Sequence, residues 1–253
     1  MHTIHQSTLT RHDHKRHLPH VITLDAPAAR LHIHLRFDPA TVDDVRNMLT
    51  LTVFDPDGFR GAGHRGGNEH GVTIGPAEAT PGYRPGPVPA GDWIVQIDTH
   101  MIFGDAPVDY TLEVWTENGP DADPVAVATP RFDTVARAAP GWYRGDLHAH
   151  SVHSDAAWTA DDLLADAHRR GLDFVTLSDH NTVSGLADFA ARTTPDLLTM
   201  GGLELTTFWG HALVLGTSEW VDWRVDAAGA AMARIATASY AADRLFIIAH
   251  PQD

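Results

Sequence analysis

The chain contains no cysteine among its 253 residues. Disulfide bridges, thiolate metal sites and cysteine nucleophiles are therefore excluded. No apolar run approaches the roughly 20 residues that cross a bilayer, and the first residues lack the apolar core of a secretory signal. We therefore expect a cytoplasmic protein that has no contact with a membrane.

Positive charge is also scarce. Lys and Arg total 18 residues against 33 for Asp and Glu, which gives a formal net charge of −15, and Lys15 is the one lysine. Nucleic-acid binding needs clustered Lys and Arg, so this balance argues against it. Histidine is in excess, at 18 residues, and neutral imidazole is the commonest metal ligand. Composition alone does not separate a metal protein from chance.

The character of the sequence changes along the chain. Residues 1–19 are polar, histidine-rich and without periodicity, which is typical of a disordered tail. Residues 20–118 contain segments that alternate with period two, such as 31–37, between Pro and Gly turns. This pattern predicts a β-sandwich-like domain. The proline-rich stretch 119–141 is predicted to be a linker.

From residue 142 to residue 253 the pattern changes to short apolar strands that alternate with helices. The Thr-Ala-Asp-Asp sequence at 159–162 is a capping box that begins one helix. The run 172–177 is typical of a strand buried on both faces. This alternation predicts a parallel sheet or barrel.

Candidate metal ligands follow or flank these strands. The carboxyl ends of barrel strands face one mouth, so such residues converge there although they are far apart in the sequence. His148 and His150 are two residues apart, which places both rings on one face of a strand. This spacing alone is weak, because His32 and His34 share it, and we expect those two at the surface. The remaining candidates are Asp155, Asp179, His180, Glu204, His211 and His250.

Five motifs carry these candidates in order: Asp-Leu-His-Ala-His-Ser-Val-His-Ser-Asp (146–155), Ser-Asp-His-Asn (178–181), Gly-Leu-Glu-Leu-Thr (202–206), Gly-His-Ala-Leu-Val-Leu-Gly (210–216) and Ala-His-Pro (249–251). In this order they resemble the PHP (polymerase and histidinol phosphatase) family of metallohydrolases. Stretches 55–60 and 80–87 are similar to those of its CehA/McbA-like subgroup, in which a β-rich region precedes the PHP domain.

The resemblance implies a fold class of α/β plus all-β, with an N-terminal β-sandwich followed by a partial distorted (β/α)7 barrel over residues 142–253. The family's late Asp-x-His motif has no counterpart before Asp253, which implies a barrel truncated at its C-terminus.

The resemblance also implies two or three divalent ions, commonly zinc, manganese or iron. His148, His150 and Glu204 would bind the first ion. Glu204 would bridge to a second ion, completed by His211 and His250. Asp155 and His180 would bind the third.

These features predict a divalent-metal-dependent hydrolase of a small-molecule substrate, with a phosphoester first and a metal-bridging hydroxide as the nucleophile. A carbamate or carboxylic ester is the alternative substrate, and a non-catalytic binding module or inactive fragment is a third possibility. The candidate catalytic residues are Glu204, His180 and Asp179. His180 or the missing terminal His would serve as the general acid, and Asp179 would orient a neighbouring ligand. The oligomeric state is left open.

Overall fold

The computed structural model describes residues 1–119, 129–130, 132, 139–227 and 229–251. The chain divides into two units, Met1–Val127 and Ala128–Asp253. Most of the stretch 119–141, predicted to be a linker, lies outside the described residues. In the part of the chain that is described, no helix has the length and apolar character needed to cross a membrane.

The described residues of the first unit form ten strands and a short 3-10 helix, Arg11–Asp13. The strands are β1 (His2–Leu9), β2 (His17–Leu24), β3 (Arg30–Asp38), β4 (Thr41–Val42), β5 (Val45–Arg46), β6 (Met48–Asp55), β7 (Gly58–Gly63), β8 (Glu69–Ile74), β9 (Gly91–Met101) and β10 (Val108–Glu117). Two four-stranded sheets have the orders β1-β10-β3-β8 and β2-β9-β6-β7, while β4 and β5 form a separate small hairpin. Every pair in the two larger sheets is antiparallel.

The two larger sheets contribute to one apolar core. The odd-numbered residues of the segment Leu31–Phe37 in β3 are at most 1% exposed, and Trp93, Val95 and Ile97 of β9 are 0% exposed. Fully burying a side chain of this kind contributes roughly 1.5–3 kcal/mol. The even-numbered positions of β3 face outward, which explains the period-two pattern of the sequence.

Residues 1–19 do not form the disordered tail that the sequence predicts. β1 pairs with β10 over its whole length, and β2 begins at His17. Between them, Thr10 and Asp13 form a reciprocal capping box around the 3-10 helix. β1 is an edge strand whose side chains are mostly exposed and polar. The strand is therefore held by hydrogen bonds to β10. Since it buries few apolar side chains, its sequence lacks the apolar pattern by which a strand is predicted.

The stretches 55–60 and 80–87 are joined by a buried ion pair. Arg60 Nη1 lies 2.7 Å from Asp55 Oδ2, and both side chains are about one-tenth exposed or less. The same guanidinium donates from Nε to the Arg84 carbonyl at 2.9 Å and from Nη2 to the Gly86 carbonyl at 2.6 Å. These motifs therefore stabilise the first unit by tying a Pro/Gly-rich segment to a hairpin.

The described residues of the second unit form five strands and three helices. These are β11 (Gly145–Ala149), α1 (Ala160–Arg169), β12 (Phe174–Leu177), α2 (Leu186–Ala190), β13 (Leu198–Thr207), β14 (Gly210–Leu215), α3 (Ala230–Ala241) and β15 (Leu245–Ala249). The strands form one sheet in the order β11-β12-β13-β14-β15.

The predicted fold class, in which a partial (β/α)7 barrel forms the second part of the chain, is wrong. β11, β12 and β13 pair in parallel, but β13 with β14 and β14 with β15 pair antiparallel. Only Phe208 and Trp209 separate β13 from β14. A parallel crossover needs about a dozen residues, so this short connection forces a hairpin. The result is a mixed five-stranded sheet with three helices among the described residues.

Helix α1 begins at the predicted capping box. Thr159 Oγ1 accepts from the Asp162 backbone N–H, and Asp162 Oδ2 accepts from the Thr159 backbone N–H. The apolar stripe of the helix, Leu163, Leu164 and Ala167, is buried in the same core as the side chains of β12. Helix α1 therefore packs against the parallel part of the sheet.

Candidate metal centre

A buried carboxylate lies at the middle of the candidate site. Glu204 is in β13 and is 0% exposed. Its Oε1 lies 2.9 Å from His211 Nδ1 and 2.9 Å from His250 Nε2. His211 stands opposite Thr206 on one side and Ala249 on the other. The β13–β14 hairpin and the end of β15 therefore bring two imidazole rings to the same oxygen.

The second carboxylate oxygen is approached from the parallel strands. Glu204 Oε2 lies 2.9 Å from His148 Nε2, 2.9 Å from His150 Nε2 and 3.2 Å from His180 Nδ1. His148 and His150 flank the last residue of β11, and His180 forms a bridge with Glu204 just beyond β12. Residues that lie more than 50 positions apart in the sequence thus surround one side chain.

Hydrogen bonding alone does not account for five rings around one carboxylate. A carboxylate offers about four lone-pair sites, and His148 Nε2 and His150 Nε2 face the same oxygen only 3.0 Å apart. Bonds of about 2.0–2.1 Å to Zn²⁺ at angles of about 90–110° separate two ligand atoms by roughly 2.9–3.4 Å. The observed spacing and the all-nitrogen-and-oxygen donor set therefore fit zinc, manganese or iron.

Two overlapping groups of ligand atoms occur among the described residues. In each group every atom lies within 4.8 Å of the others, and Glu204 belongs to both. The groups are His148, Glu204 and His250, and His150, His180 and Glu204. The resemblance implies a different division, with His148 and His150 on one ion. Glu204 keeps its shared position in both groups, while the Nε2 atoms of His148 and His150 are 3.0 Å apart at the same Glu204 oxygen, which also suits a shared ion.

The charges of the cluster reinforce each other. Burial opposes ionisation of Glu204, but hydrogen bonds from His150 and His211 outweigh it and hold the pKa of this carboxyl far below its ordinary value. Burial likewise opposes the charge on His150, but the carboxylates of Asp155 and Glu204 outweigh it and raise the pKa of His150 to about 9. A negative carboxylate is thus maintained in a buried position, where it attracts cations.

Asp155, predicted as a ligand of a third ion, lies at the edge of the cluster. Its Oδ1 is 2.9 Å from His150 Nδ1, and its Oδ2 is 3.4 Å from His180 Nε2. Hydrogen bonds from these two rings hold the pKa of Asp155 well below its ordinary value. Asp155 is in neither of the two ligand groups. Since it contacts the second ring nitrogen of His150, it is placed to orient that ring.

Asp179, predicted to orient a neighbouring ligand, binds the loop that follows His150. Its buried carboxylate accepts hydrogen bonds from the backbone N–H and hydroxyl of Ser151 and from the hydroxyl of Ser154. These residues follow His150 in the chain. The carboxylate therefore acts on the segment that leaves the ligand pair.

Asn181 and Thr206 support the cluster, and sequence reasoning gave them no role. The Asn181 amide donates to the Thr206 carbonyl and accepts from the Thr206 N–H, both at 2.8 Å. Thr206 Oγ1 contacts His180 Nδ1. Asn181 has a φ of 55°, a left-handed conformation that Asn tolerates better than most residues. An Asn directly after a candidate ligand was the available signal.

A cavity of about 400 Å³ is open at the cluster. It is lined by the five rings and the carboxylate, namely His148, His150, His180, Glu204, His211 and His250. No Lys or Arg is among these lining residues. A negatively charged substrate here would therefore depend on bound cations or protonated imidazoles for neutralisation.

The chain matches no protein-family model and no curated protein. Among solved structures it has a slight likeness to the catalytic domain of a GH87 alpha-1,3-glucanase variant in complex with tetrasaccharides. The identity is 13%, the TM-score is 0.22, and the alignment covers 70% of this chain and 33% of that chain. The chain thus spans about a third of the length of that protein. A likeness at this level carries no argument about fold or function.

Proposed function

We propose that the second unit is a divalent-metal-dependent hydrolase whose site is the Glu204 cluster. The observation that carries this proposal is the convergence of five imidazole rings on one fully buried carboxylate, with ring nitrogens 2.9–3.2 Å from its oxygens. The order of the five motifs, which resembles the PHP family, supports the same conclusion through the ligand residues and independently of the barrel.

We assign a separate role to each group of residues in the proposed site. Glu204 belongs to both ligand groups, which the rings of His148 and His250 and those of His150 and His180 would complete with their lone pairs. Asp155 holds the ring of His150 through Nδ1. Bound divalent ions supply acidity to water and polarise a phosphoryl or carbonyl oxygen of the substrate.

His180 is the candidate proton carrier. Its Nδ1 faces Glu204 and Thr206, and its Nε2 faces Asp155. A ring that two carboxylates hold in place would be positioned to give its proton to a leaving group. His180 also belongs to a ligand group, so one ring nitrogen would bind an ion and the other would carry the proton.

A phosphoester is the first candidate substrate, because bound cations would neutralise the phosphoryl oxygens within this acidic protein. A carbamate or carboxylic ester is the second candidate. The observation in its favour is that the lining of the 400 Å³ cavity contains no Lys or Arg to select an anion. The site thus accommodates an uncharged ester as well.

The test begins with the metal content of the purified chain after Zn²⁺ or Mn²⁺ loading and dialysis. We expect two ions per chain, and less than one in Glu204→Gln, because a neutral amide is a poor bridge between cations. The matched control is Glu113→Gln, since Glu113 contacts the single ring of His2 at 2.6 Å. Equal metal content in Glu204→Gln and the parent chain would refute the proposal.

The loaded chain is then assayed with p-nitrophenyl phosphate, 1-naphthyl N-methylcarbamate and 1-naphthyl acetate. Faster turnover of the phosphate than of the two carbonyl substrates, abolished in Glu204→Gln, supports the phosphoesterase. The reverse preference supports the carbonyl hydrolase. If the chain binds metal but turns over none of the three substrates, the second unit is a metal-binding module. That outcome refutes catalysis on both substrate classes.

A further inference from the structure

The carboxylate of Asp179 is 2% exposed, and it receives hydrogen bonds on both oxygens. Oδ1 accepts from the Ser151 backbone N–H at 2.8 Å and from the Ser154 hydroxyl at 2.6 Å. Oδ2 accepts from the Ser151 hydroxyl at 2.7 Å. Three donors from two residues, Ser151 and Ser154, are thus directed at one buried carboxylate. Such a carboxylate fixes the backbone that supplies the donors, because an unpaired partner would be costly in a buried position.

The loop that Asp179 holds begins and ends at residues of the candidate metal centre. It leaves His150 and reaches Asp155, which returns to His150 Nδ1 at 2.9 Å. Within the loop, the backbone N–H groups of Ser154 and Ala156 donate to the Ser151 carbonyl. The Ser151 carbonyl therefore closes the loop, and the Ser151 N–H and hydroxyl attach the loop to Asp179. A shift of Ser151 would move His150 and Asp155 together.

We propose that Asp179 is a positioning residue that presets His150 and Asp155 for ion binding by fixing the loop 151–154. The inference rests on the proposed metal-dependent function. It adds a reason why the ring of His150 lies so close to the carboxylates of Glu204 and Asp155. His180, the next residue in the chain, lies in the cluster itself, 3.2 Å from Glu204 Oε2. One short segment therefore supplies both a ligand and the support for the ligands opposite to it.

The alternative is that Asp179 serves folding alone, and the chain offers a matched control for this. Asp98 in the first unit is 0% exposed. It accepts hydrogen bonds from the hydroxyl of Thr52 and the amide of Gln96, both at 2.6 Å. Asp98→Asn removes an equally buried carboxylate, which also lies 2.7 Å from His17 Nδ1, in the unit that lacks the cluster. A general loss of folding would affect both variants, whereas positioning would affect only the variants of Asp179.

The experiment compares Asp179→Ala, Asp179→Asn and Asp98→Asn in the full chain, with Co²⁺ alone as the probe. Affinity is measured by competition with a chromophoric chelator, and ligand geometry by the visible absorption of bound Co²⁺. For Asp179→Ala we expect an affinity loss of roughly 10–100-fold and a changed spectrum. Asp179→Asn keeps an acceptor for the Ser151 N–H, and we expect it to restore most of both. Asp98→Asn should match the parent chain.

A second measurement needs no ion. Hydrogen exchange at the Ser151 amide in the metal-free chain should accelerate at least tenfold in Asp179→Ala. If that variant does not fold, Ser154→Ala removes one of the bonds to Oδ1 and should accelerate the same amide less. Unchanged Co²⁺ affinity and unchanged exchange in a folded variant would overturn the inference.

The two proposals fail in different ways. A parent chain that takes up no Co²⁺ refutes the metal centre, and the exchange rate of Ser151 then decides on its own whether Asp179 holds the loop. A parent chain that binds Co²⁺, beside an Asp179→Ala variant that binds it equally well, refutes only the positioning role.

Discussion

The two units contain the same His-x-His spacing with opposite outcomes. In the first unit His32 Nδ1 lies 3.0 Å from the Thr73 hydroxyl, and its ring stacks on Trp115. His34 Nε2 lies 2.9 Å from Glu69. Each ring thus has partners of its own on the neighbouring strands β8 and β10. Spacing places two rings on one face, but the residues opposite that face decide their chemistry.

In the second unit the same spacing leads to a shared partner. His148 and His150 flank the end of β11, and their Nε2 atoms meet at a single carboxylate oxygen of Glu204. Further ligands come from the segment after β12, which contains His180, and from β13, which contains Glu204. The comparison teaches that a pair at a strand end, opposite a buried acid, is a metal candidate. A pair in mid-strand, such as the half-buried His32 and His34, is held by separate polar groups instead.

The largest expected effect is on metal content. The double substitution His148→Ala/His150→Ala removes one ring from each ligand group, and we expect it to abolish retention of Zn²⁺ after dialysis. His32→Ala/His34→Ala should leave the content unchanged, because those rings belong to no ligand group. Elemental analysis of the two purified variants decides between them. Equal losses in both would remove the distinction between the two pairs.

The second expected effect is on the stability of the first unit. In this case a change in the first unit should have a large effect and should leave the metal content of the chain unchanged. Asp55→Ala leaves the Arg60 guanidinium buried without its carboxylate partner. Breaking a buried pair in this way costs about 3–5 kcal/mol. We expect this decrease in the unfolding free energy of the first unit, measured by denaturant titration.

Metal content is the control for that variant and should equal that of the parent chain. A decrease of less than about 1 kcal/mol would show that water reaches Arg60 and that the pair resembles an exposed one.

A third expected effect is a dependence of ion binding on pH. The pKa of His150 in the metal-free chain is raised from 6.5 to about 9. The charged ring therefore stabilises the metal-free fold fully below pH 6.5, and this contribution is lost as the pH rises through about 9. Ion binding requires the neutral ring, so affinity should increase over the same interval. Calorimetry in buffers of different ionisation enthalpy would detect the released proton.

Asp155→Asn is the variant that tests the cause of this pH dependence. It removes one of the two carboxylates that raise the pKa of His150. The proton release at pH 7.5 should decrease, while a variant at Glu69, next to His34, should not alter it. An unchanged release in Asp155→Asn would assign the proton to another group.

The smallest expected effect concerns the capping boxes, of which each unit has one among its described residues. Thr159→Ala removes the side-chain cap of the ten-residue helix α1 and should cost about 1 kcal/mol. Thr10→Ala removes the cap of a helix of only three residues, so its effect should be smaller. Thermal unfolding of the two variants gives the order. A larger loss for Thr10→Ala would mean that Thr10 acts chiefly through the pairing of β1.

The candidate site was largely accessible from the sequence because its residues are chemically distinctive. His148, His180, Glu204 and His250 stand at or just after the ends of apolar runs, and the structure brings them together. The division of the ligands between two groups was not accessible, since it depends on side-chain directions. An orienting role for Asp179 was predicted, but its partners Ser151 and Ser154 were not, because they lie 28 and 25 residues away in the sequence and give no periodic signal.

The fold was less accessible, for reasons that differ between the two units. In the second unit the Phe208–Trp209 connection was too short for a crossover, and this local signal was outweighed by the alternation of strands and helices around it. In the first unit β1 is polar on both faces and buries only Leu9. Its pairing with β10 is a tertiary effect that local sequence does not encode.

The ligands of the candidate centre come from separate positions between residues 148 and 250. An ion bound by His148 and His250 would close a loop of about 100 residues, and in the chain-entropy account a covalent link across such a loop is worth about 4.7 kcal/mol. This chain has no cysteine with which to make such a link. A metal at Glu204 would therefore do for the second unit what a disulfide does for a secreted domain, with the difference that a chelator reverses it.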